Sequence, residues 1–315
     1  MSEDNTQTID DVRPAEEDSN DAPPSRRRIP QIQFVDPSIR ENYEAGLPSR
    51  EERRENLNNL HIQCSNVATC GKYAPRSDLR VCSRCKDVRA RYCSQECQKT
   101  HWRTEHKAQC KAVDGGATSK PKNLALKLAE RAFGSSKIMQ FLYFHSILTL
   151  ELLEDRSNAS RYAVNVECST TPADLTASMG RLLAGLEPDP NAQVCLSYTS
   201  LTRVPLEEAP ERTRKALEEA TKNFYASPLI EKELVIVLYF TTKEGGGLDG
   251  STSFPVVLTK KELDYMANDP KEILRSALTG DTEVKMTAQN LREFLNNEIR
   301  MDRQNKLRLR YPSTI

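Results

Sequence analysis

The sequence lacks the features that mark membrane-spanning, secreted or generally nucleic-acid-binding proteins. No apolar run approaches the roughly 18 residues that a membrane-spanning helix needs. The N-terminus begins MSEDNTQTID, with neither a basic start nor an apolar core, so we expect no secretory signal. The formal net charge is +0, which provides no overall attraction to nucleic acid or anionic lipid. We therefore expect an intracellular protein, in the nucleus or the cytoplasm, without membrane association.

The neutral total hides an uneven distribution of charge along the chain. Residues 1–47 are polar, acidic and proline-bearing, and they have too few apolar side chains to offset the entropy of ordering. We predict a disordered acidic tail there. Its short basic run, Arg26 to Arg28, is typical of a solvated stretch or of a weak nuclear address. Residues 48–63 are predicted to form a helical lead-in that starts near Pro48 and Ser49, and the following stretch, 61–112, is basic.

The C-terminal two thirds of the chain form a second predicted unit. Gly, Ser, Lys and Pro residues in 111–123 indicate a linker. Residues 124–312 combine helical patterns with apolar strand patterns, which predicts a separate α+β domain. The predicted helices cover 122–133, 136–155, about 172–186, 206–224 and about 287–309; the predicted strands cover 162–168, 194–198, 234–240 and 254–258. The run 234–240 is continuously apolar and rich in β-branched residues, as expected of a central strand.

Cysteines are concentrated in one short segment. Seven of the nine fall within residues 64–110, and a histidine in the same window completes eight zinc-ligand side chains. They form four close pairs: Cys64 and Cys70, Cys82 and Cys85, Cys93 and Cys97, His106 and Cys110. In a reducing compartment such pairs are more typical of metal ligands than of disulfides. The segment also has too few large apolar residues to fold alone, whereas two structural zinc ions would supply the missing free energy.

The residues around these pairs resemble the MYND-type zinc finger. The matching stretches are Cys82-Ser-Arg-Cys85-Lys, the run from Arg91 to Lys99, Trp102, and His106-Lys107-x-x-Cys110. The resemblance covers about residues 64–110 and implies a cross-braced fold in which the first and third pairs share one zinc. It thereby assigns Cys64, Cys70, Cys93 and Cys97 to zinc 1, and Cys82, Cys85, His106 and Cys110 to zinc 2. Spacing alone does not show this interleaving.

Two departures from the family pattern lengthen the finger without removing a ligand. The first pair has five intervening residues rather than the commoner two, and the interval from Trp102 to His106 is one residue longer than usual. His101 competes with His106 because it follows Cys97 by four residues, on the same helical face. Choosing it would give zinc 1 a fifth ligand and leave zinc 2 one short, so we favour His106.

A site with four protein ligands has no open position for a substrate, so both zincs are expected to be structural. Ser94 is a candidate N-cap for a helix that continues to Gln109. On that helix the resemblance implies that Gln98 and Trp102 line a groove for short proline-containing peptides. Trp102 also suits the small core between the zincs, and the two roles are compatible. We expect an adaptor that recruits a protein partner through a proline-containing motif.

Two other function classes were weighed against the adaptor. The basic finger could bind phosphate non-specifically, but its ligand spacing is not that of a C2H2 finger. MYND fingers also occur in SET-domain lysine methyltransferases, yet nothing after this finger resembles that family's Asn-His cofactor motif. The glycine run 245–250 lacks the Lys-Ser/Thr of a phosphate loop, and Cys168 and Cys195 lie in strand patterns typical of buried side chains. We therefore expect no enzyme, with an unfamiliar catalytic domain as the alternative.

Overall fold

The computed structural model describes residues 41, 43–85, 90–110, 123–189, 192–225, 233–242, 251–276 and 280–312. Most of the predicted acidic tail, the linker apart from Asn123, and the glycine run 245–250 lie outside this part of the chain. Tyr43 was assigned to the tail, but it is buried and its hydroxyl donates a hydrogen bond to the Glu298 carbonyl oxygen at 2.6 Å. The folded part of the chain therefore begins before residue 48.

The described residues before Asn123 include a helix, a short 3-10 helix (Arg76–Asp78), two small hairpins and the finger helix. Helix α1 spans Arg50–Asn59, and the side chain of Ser49 caps it by accepting a hydrogen bond from the Glu52 amide. The end of the predicted lead-in helix is instead a strand. The strands are β1 (His61–Gln63), β2 (Tyr73–Pro75), β3 (Arg80–Val81) and β4 (Arg91–Tyr92). Strands β1 and β2 pair antiparallel, as do β3 and β4.

The finger helix is built from three consecutive stretches. It consists of α2 (Gln95–His101), a π-helical stretch (Trp102–His106) and a final turn (Lys107–Gln109). The Ser94 hydroxyl caps α2 by accepting a hydrogen bond from the Cys97 amide at 3.2 Å, as predicted.

The second unit contains seven helices and seven strands in its described residues. In chain order they are α3 (Leu124–Ala132), α4 (Ser136–Thr149), α5 (Asn158–Arg161), β5 (Tyr162–Pro172), α6 (Leu175–Leu183), β6 (Gln193–Pro205), α7 (Glu211–Tyr225), β7 (Leu234–Thr241), β8 (Ser251–Leu258), α8 (Lys260–Ala267), β9 (Lys271–Ser276), β10 (Gly280–Lys285), α9 (Ala288–Met301) and β11 (Arg310–Pro312). The mixture of helices and strands predicted for this unit is confirmed.

A five-stranded mixed sheet forms the centre of the second unit. Its order is β11-β6-β5-β7-β8, and the β5–β7 pair is parallel while the other three pairs are antiparallel. Successive residues of β7 point to opposite faces of the sheet. Ile236 and Leu238 enter the large core that also contains α3, α4 and α9, whereas Val235 and Val237 pack with Leu217 of α7. Burial of both faces explains why this strand is continuously apolar.

Three sequence predictions for the second unit need correction. The Thr171-Pro172 pair ends strand β5, and helix α6 begins only after Asp174. The last helix ends at Met301, and the Asp302 carboxylate that follows accepts hydrogen bonds from the backbone amides of Lys306 and Leu307. The chain then returns to the sheet as β11. The antiparallel hairpin of β9 and β10 stands where only helices were expected.

The finger and the second unit are separate in sequence but share packed side chains. Ile62 and Leu79 belong to the same buried cluster as the side chains of α3 and α4. At Gly134, an added Cβ would lie 3.3 Å from the Leu57 side chain and from the Arg53 carbonyl oxygen. The backbone between α3 and α4 therefore approaches α1 closely, and this contact fixes the lead-in helix on the second unit.

Candidate metal and peptide-binding site

The first ligand cluster joins the loop after β1 to the start of the finger helix. It contains Cys64, Cys70, Cys93 and Cys97, whose sulfur atoms all lie within 4.8 Å of one another. Cys64 is buried and Cys70 is exposed, so this cluster stands partly open to solvent. The Cys93 sulfur lies 3.5 Å from the sulfurs of both Cys70 and Cys97.

The second ligand cluster joins the turn after β3 to the end of the finger helix. It contains Cys82, Cys85, His106 and Cys110, whose ligand atoms also lie within 4.8 Å of one another. The Cys85 sulfur is 3.5 Å from His106 Nε2, and the Cys82 sulfur is 3.9 Å from that of Cys110. The two clusters draw on alternate pairs along the chain, which is the interleaving that the family resemblance implies.

These distances match tetrahedral zinc coordination. With Zn–S near 2.3 Å and Zn–N near 2.0 Å, tetrahedral geometry places two sulfurs about 3.8 Å apart, and a sulfur and a nitrogen about 3.5 Å apart. The sulfur pairs lie at 3.5 to 3.9 Å and the sulfur–nitrogen pair at 3.5 Å. All nine cysteines are free of disulfides. Both clusters can therefore hold a zinc ion, and each would supply all four of its ligands.

Local hydrogen bonds favour the thiolate form of Cys97 in the first cluster and of Cys82 in the second. Burial raises the pKa of Cys97, but hydrogen bonds with Ser94 and with neighbouring cluster residues outweigh burial and lower this pKa to about 7. Burial likewise raises the pKa of Cys82, and hydrogen bonds from the backbone of Cys85 and Arg84 reverse the direction. Zinc binds thiolates, so these hydrogen bonds favour the form of Cys97 and of Cys82 that coordinates the metal.

The π-helical stretch explains how the finger accommodates its extra residue before His106. A π-helical turn holds one residue more than an α-helical turn, so it absorbs a single insertion without shifting the helix that follows. This turn spans Trp102–His106, the interval that the sequence shows to be one residue longer than usual. His106 is buried in the second cluster as a result.

His101 lies outside both ligand clusters. Its Nδ1 is 2.9 Å from the buried Tyr92 hydroxyl, and its Nε2 is 3.5 Å from the Glu105 carboxylate. Its ring stacks on that of His106 at a centroid distance of 5.7 Å. His101 thus packs beside His106, the alternative zinc ligand, and both of its ring nitrogens face protein groups.

The five residues between Cys64 and Cys70 form a compact turn. The backbone amides of Cys70 and Gly71 both donate to the Asn66 carbonyl oxygen, at 2.9 and 3.0 Å. The Asn66 side chain donates to the Thr69 hydroxyl, and Gly71 has a φ of 60°, a conformation that glycine adopts readily. The extra residues between Cys64 and Cys70 are therefore held by their own hydrogen bonds while both cysteines reach one cluster.

Gln98 and Trp102 lie one turn apart on the finger helix and are both half-buried. Trp102 packs against the small core between the two clusters, and its ring meets that of His106 edge-on at 5.7 Å. The Arg84 guanidinium lies 5.7 Å from the centre of the indole ring, a cation–π contact. Among the described residues, no hydrogen-bond partner is found for the Trp102 indole N–H or for the side-chain amide of Gln98. Trp102 therefore contributes to the core and also presents an uncommitted donor.

Glu130 joins the finger to the second unit, and the sequence analysis did not identify it. The Glu130 carboxylate accepts hydrogen bonds from Arg76 at 2.6 Å and from Arg91 at 2.8 Å. Its side chain is 4% exposed and that of Arg91 is 7% exposed, so the pair is buried. One sequence signal exists: Glu130 falls on the apolar face of α3 with Leu126 and Phe133, where a charge needs a partner.

A cavity of about 1150 Å³ lies where α1 and the first hairpin meet the second unit. Its walls include seven rings: His61, Tyr73, Phe133, Tyr143, Phe144, Phe224 and Tyr265. The Tyr73 hydroxyl donates to the Pro255 carbonyl oxygen at 3.2 Å, and the Glu262 carboxylate in the lining caps α8 through the Thr259 amide. An aromatic lining with few free charges is typical of sites for apolar groups.

The two cysteines and the histidine of the second unit are buried. Cys168 and Cys195 are buried in β5 and β6, as predicted, and the Cys168 thiol lies 3.4 Å from the Thr241 carbonyl oxygen. His145 is buried in α4, with Nδ1 2.9 Å from the Thr149 hydroxyl. Of the helices in the described part of the chain, none has the length and apolar character needed to span a bilayer.

Comparison with known proteins assigns both parts of the chain to families. The profile described as MYND finger matches residues 63–110, and the profile described as Domain of unknown function (DUF8205) matches residues 124–314. A MYND finger is a zinc-binding, non-catalytic module for protein interactions. The resemblance drawn from the cysteine pattern is thereby confirmed.

A curated relative matches a limited part of this chain. It is Ubiquitin carboxyl-terminal hydrolase 19 from Arabidopsis thaliana, 36% identical over 84 residues. The match covers 25% of this chain and 11% of that protein, so the chain spans about a tenth of the relative's length. No solved structure matches.

Proposed function

The chain belongs to the family described as Domain of unknown function (DUF8205), and we propose that its MYND finger makes it a zinc-dependent adaptor that recruits a protein partner. The partner is held by a short proline-containing segment at Gln98 and Trp102. The second unit serves as the scaffold that positions the finger. The adaptor acts inside the cell, in the nucleus or the cytoplasm, where free thiols persist.

Two structural zincs hold the finger in this proposal. Zinc 1 takes Cys64, Cys70, Cys93 and Cys97, and zinc 2 takes Cys82, Cys85, His106 and Cys110. Support comes from the gathering of eight ligand atoms into two sets of four, each set drawn from two alternate pairs of the sequence. Each zinc has four protein ligands and therefore no open position for a substrate, so its role is to stabilise the fold. Metal analysis of the purified chain should give two zincs per molecule; one or none would contradict the assignment.

The observation that carries the peptide proposal is the pair of free donors at Gln98 and Trp102. A proline-containing peptide in the extended polyproline conformation leaves its backbone carbonyls without internal partners. The Gln98 amide and the Trp102 indole N–H stand one turn apart and can donate to such carbonyls. The exposed part of the indole ring, with Arg84 beside it, offers the flat apolar surface on which a proline ring packs.

Binding to an array of proline-containing peptides tests this site. Trp102→Ala and Gln98→Ala should each weaken capture of the peptides that the native chain binds, by about tenfold or more. Replacing proline with alanine in those peptides should have a similar effect. Lys99→Ala, on the same helix and exposed, is the matched control and should bind normally. If Trp102→Ala retains both zincs and full peptide binding, the proposed groove is wrong.

Two other function classes make different binding predictions. A nucleic-acid role would need the basic side chains of the finger to face phosphates, and two of them, Arg76 and Arg91, are instead engaged by Glu130. Binding to a random DNA duplex across a salt titration would expose that role. A methyltransferase role predicts binding of S-adenosylmethionine, which the adaptor proposal expects to be absent.

A further inference from the structure

The cavity beside α1 and the first hairpin is separate from the proposed peptide site. Among the described residues that line it there is no zinc ligand, and neither Gln98 nor Trp102 is present. Its volume of about 1150 Å³ is slightly above the range of roughly 300–1,000 Å³ that is usual for small-molecule sites. Several elements supply apolar walls, among them Met139 of α4, Phe224 of α7 and Val257 of β8. The cavity can therefore hold a molecule with two or more rings.

The aromatic side chains of the lining already stack in pairs. The rings of Phe144 and Tyr265 lie parallel within 18°, with their centroids 4.8 Å apart. Those of His61 and Tyr73 are 5.5 Å apart. Tyr265 is 42% exposed and lines the cavity, so a further planar ring can extend its stack. Because aromatic rings favour stacked and edge-to-face neighbours, these walls favour an aromatic ligand.

Tyr143 brings an uncommitted hydrogen-bond donor to the lining. No hydrogen-bond partner is found for its hydroxyl within the described part of the chain. Burial and the nearby Glu262 charge raise the pKa of Tyr143 to about 12, so the hydroxyl keeps its proton at neutral pH. The influence of Glu262 also places Tyr143 near the first turn of α8, which carries Lys261.

Three side chains of the described lining are charged at neutral pH: Lys137, Glu262 and Lys261. The Lys137 ammonium lies 2.8 Å from the Glu298 carboxylate. The Glu262 carboxylate accepts hydrogen bonds from the Thr259 amide, at 2.8 Å, and from the Thr259 hydroxyl. For Lys261, no ion pair or hydrogen bond is found with any described residue. Lys261 is therefore the uncommitted charge of the lining, and it favours an anionic group.

We propose that the cavity binds a small aromatic carboxylate, with its rings among the aromatic walls and its carboxylate held by the Lys261 ammonium and the Tyr143 hydroxyl. Hydrogen bonds to an ionised carboxylate are stronger than those between neutral groups, so these two donors fix the orientation of the ligand. The cavity and the peptide site at Gln98 and Trp102 share no residue. Either proposal can therefore fail without the other.

Calorimetric titration of the zinc-loaded full chain at pH 7 tests the ligand class with four matched probes. 2-Naphthoate should bind with a Kd on the order of 100 μM. The uncharged 2-naphthamide should bind about fivefold more weakly, and 2-naphthylmethylammonium, with the opposite charge, at least tenfold more weakly. Decahydro-2-naphthoate keeps the charge but not the flat rings, and should bind about threefold more weakly. Absence of 2-naphthoate binding would overturn the proposal, as would equal or tighter binding of any other probe.

Substitutions test the two assigned residues. Lys261→Met should weaken 2-naphthoate binding about fivefold and leave 2-naphthamide binding unchanged. Lys260→Met is the matched control: the neighbouring lysine lies outside the lining, 3.3 Å from the Asp264 carboxylate, and its loss should leave both probes unaffected. Tyr143→Phe removes only the hydroxyl and should weaken 2-naphthoate about fivefold. All three variants should keep two zincs and native peptide binding. Native 2-naphthoate affinity in the Lys261 and Tyr143 variants would overturn the assignment.

Discussion

The carboxylate of Glu130 in α3 accepts a hydrogen bond of 2.8 Å from the guanidinium of Arg91 in the finger, and both side chains are buried. Arg91 precedes the buried Tyr92 and lies two residues before a zinc-cluster cysteine, Cys93. A salt bridge in this position connects the metal-dependent part of the chain to the first helix of the second unit. It implies that the two parts lose stability together.

Glu130→Ala should destabilise the folded chain by about 3–5 kcal/mol, because it leaves the Arg91 guanidinium buried without its partner. Urea unfolding of the zinc-loaded protein would measure the change. Glu283→Ala is the matched control: it breaks an exposed ion pair with Lys271 and should leave the unfolding midpoint unchanged. Similar midpoints for the two variants would show that the Glu130 pair contributes little to stability.

Separate substitutions of His106 and His101 test the second metal site. His106→Ala should reduce the zinc content from two to one, because the remaining three thiols cannot complete a four-ligand protein site. His106→Cys should restore two zincs by replacing nitrogen with sulfur. His101→Ala should retain both zincs, since His101 contacts Tyr92 and Glu105 instead. Loss of a zinc from the His101 variant alone would reverse the assignment of the ligand.

The buried histidine of α4 makes stability depend on pH. Burial lowers the pKa of His145 to about 4, and the nearby Arg292 charge acts in the same direction. The unfolded chain has the ordinary value near 6.5, so folding favours the neutral ring. Its contribution is complete above pH 6.5 and is lost progressively as the pH falls from 6.5 to 4, amounting to about 3 kcal/mol at the acidic end.

Comparison with His145→Gln isolates this contribution. The glutamine variant cannot titrate, so its free energy of unfolding should fall less steeply than that of the native chain between pH 6.5 and 4. The two proteins have the same carboxylates and the same finger. The difference between their free energies of unfolding at each pH therefore reports His145 alone. Parallel curves would contradict the predicted effect.

Two adjacent leucines after α4 should respond differently to truncation. Leu152 is 1% exposed and Leu153 is 41% exposed. Leu152→Ala should cost about 2–5 kcal/mol, because it removes packed methyl groups and leaves a cavity. Leu153→Ala should cost less than about 1 kcal/mol. Thermal unfolding of both variants would check the prediction, and equal losses would show that the outer side chain is packed as well.

Parts of this fold could be predicted from local sequence patterns. Strand β7 was identified because a continuous run of apolar, β-branched residues is stable only inside a sheet. Strand β5 was identified in its first half, yet its continuation through Pro172 was not, since proline also starts helices. The end of α9 could not be placed because the Asp302 side chain that follows it contacts residues four and five positions ahead.

For this protein the sequence by itself determined the finger, its eight candidate ligands and the mixed α and β character of the second unit. Paired soft ligands and periodic apolar residues are local features, so they can be identified without knowledge of the fold. Tertiary structure alone decided which side chains face each other: Glu130 with Arg91, His101 with Tyr92, and the outward direction of α6. Those relations depend on how distant segments pack, and a pattern along one segment does not contain that information.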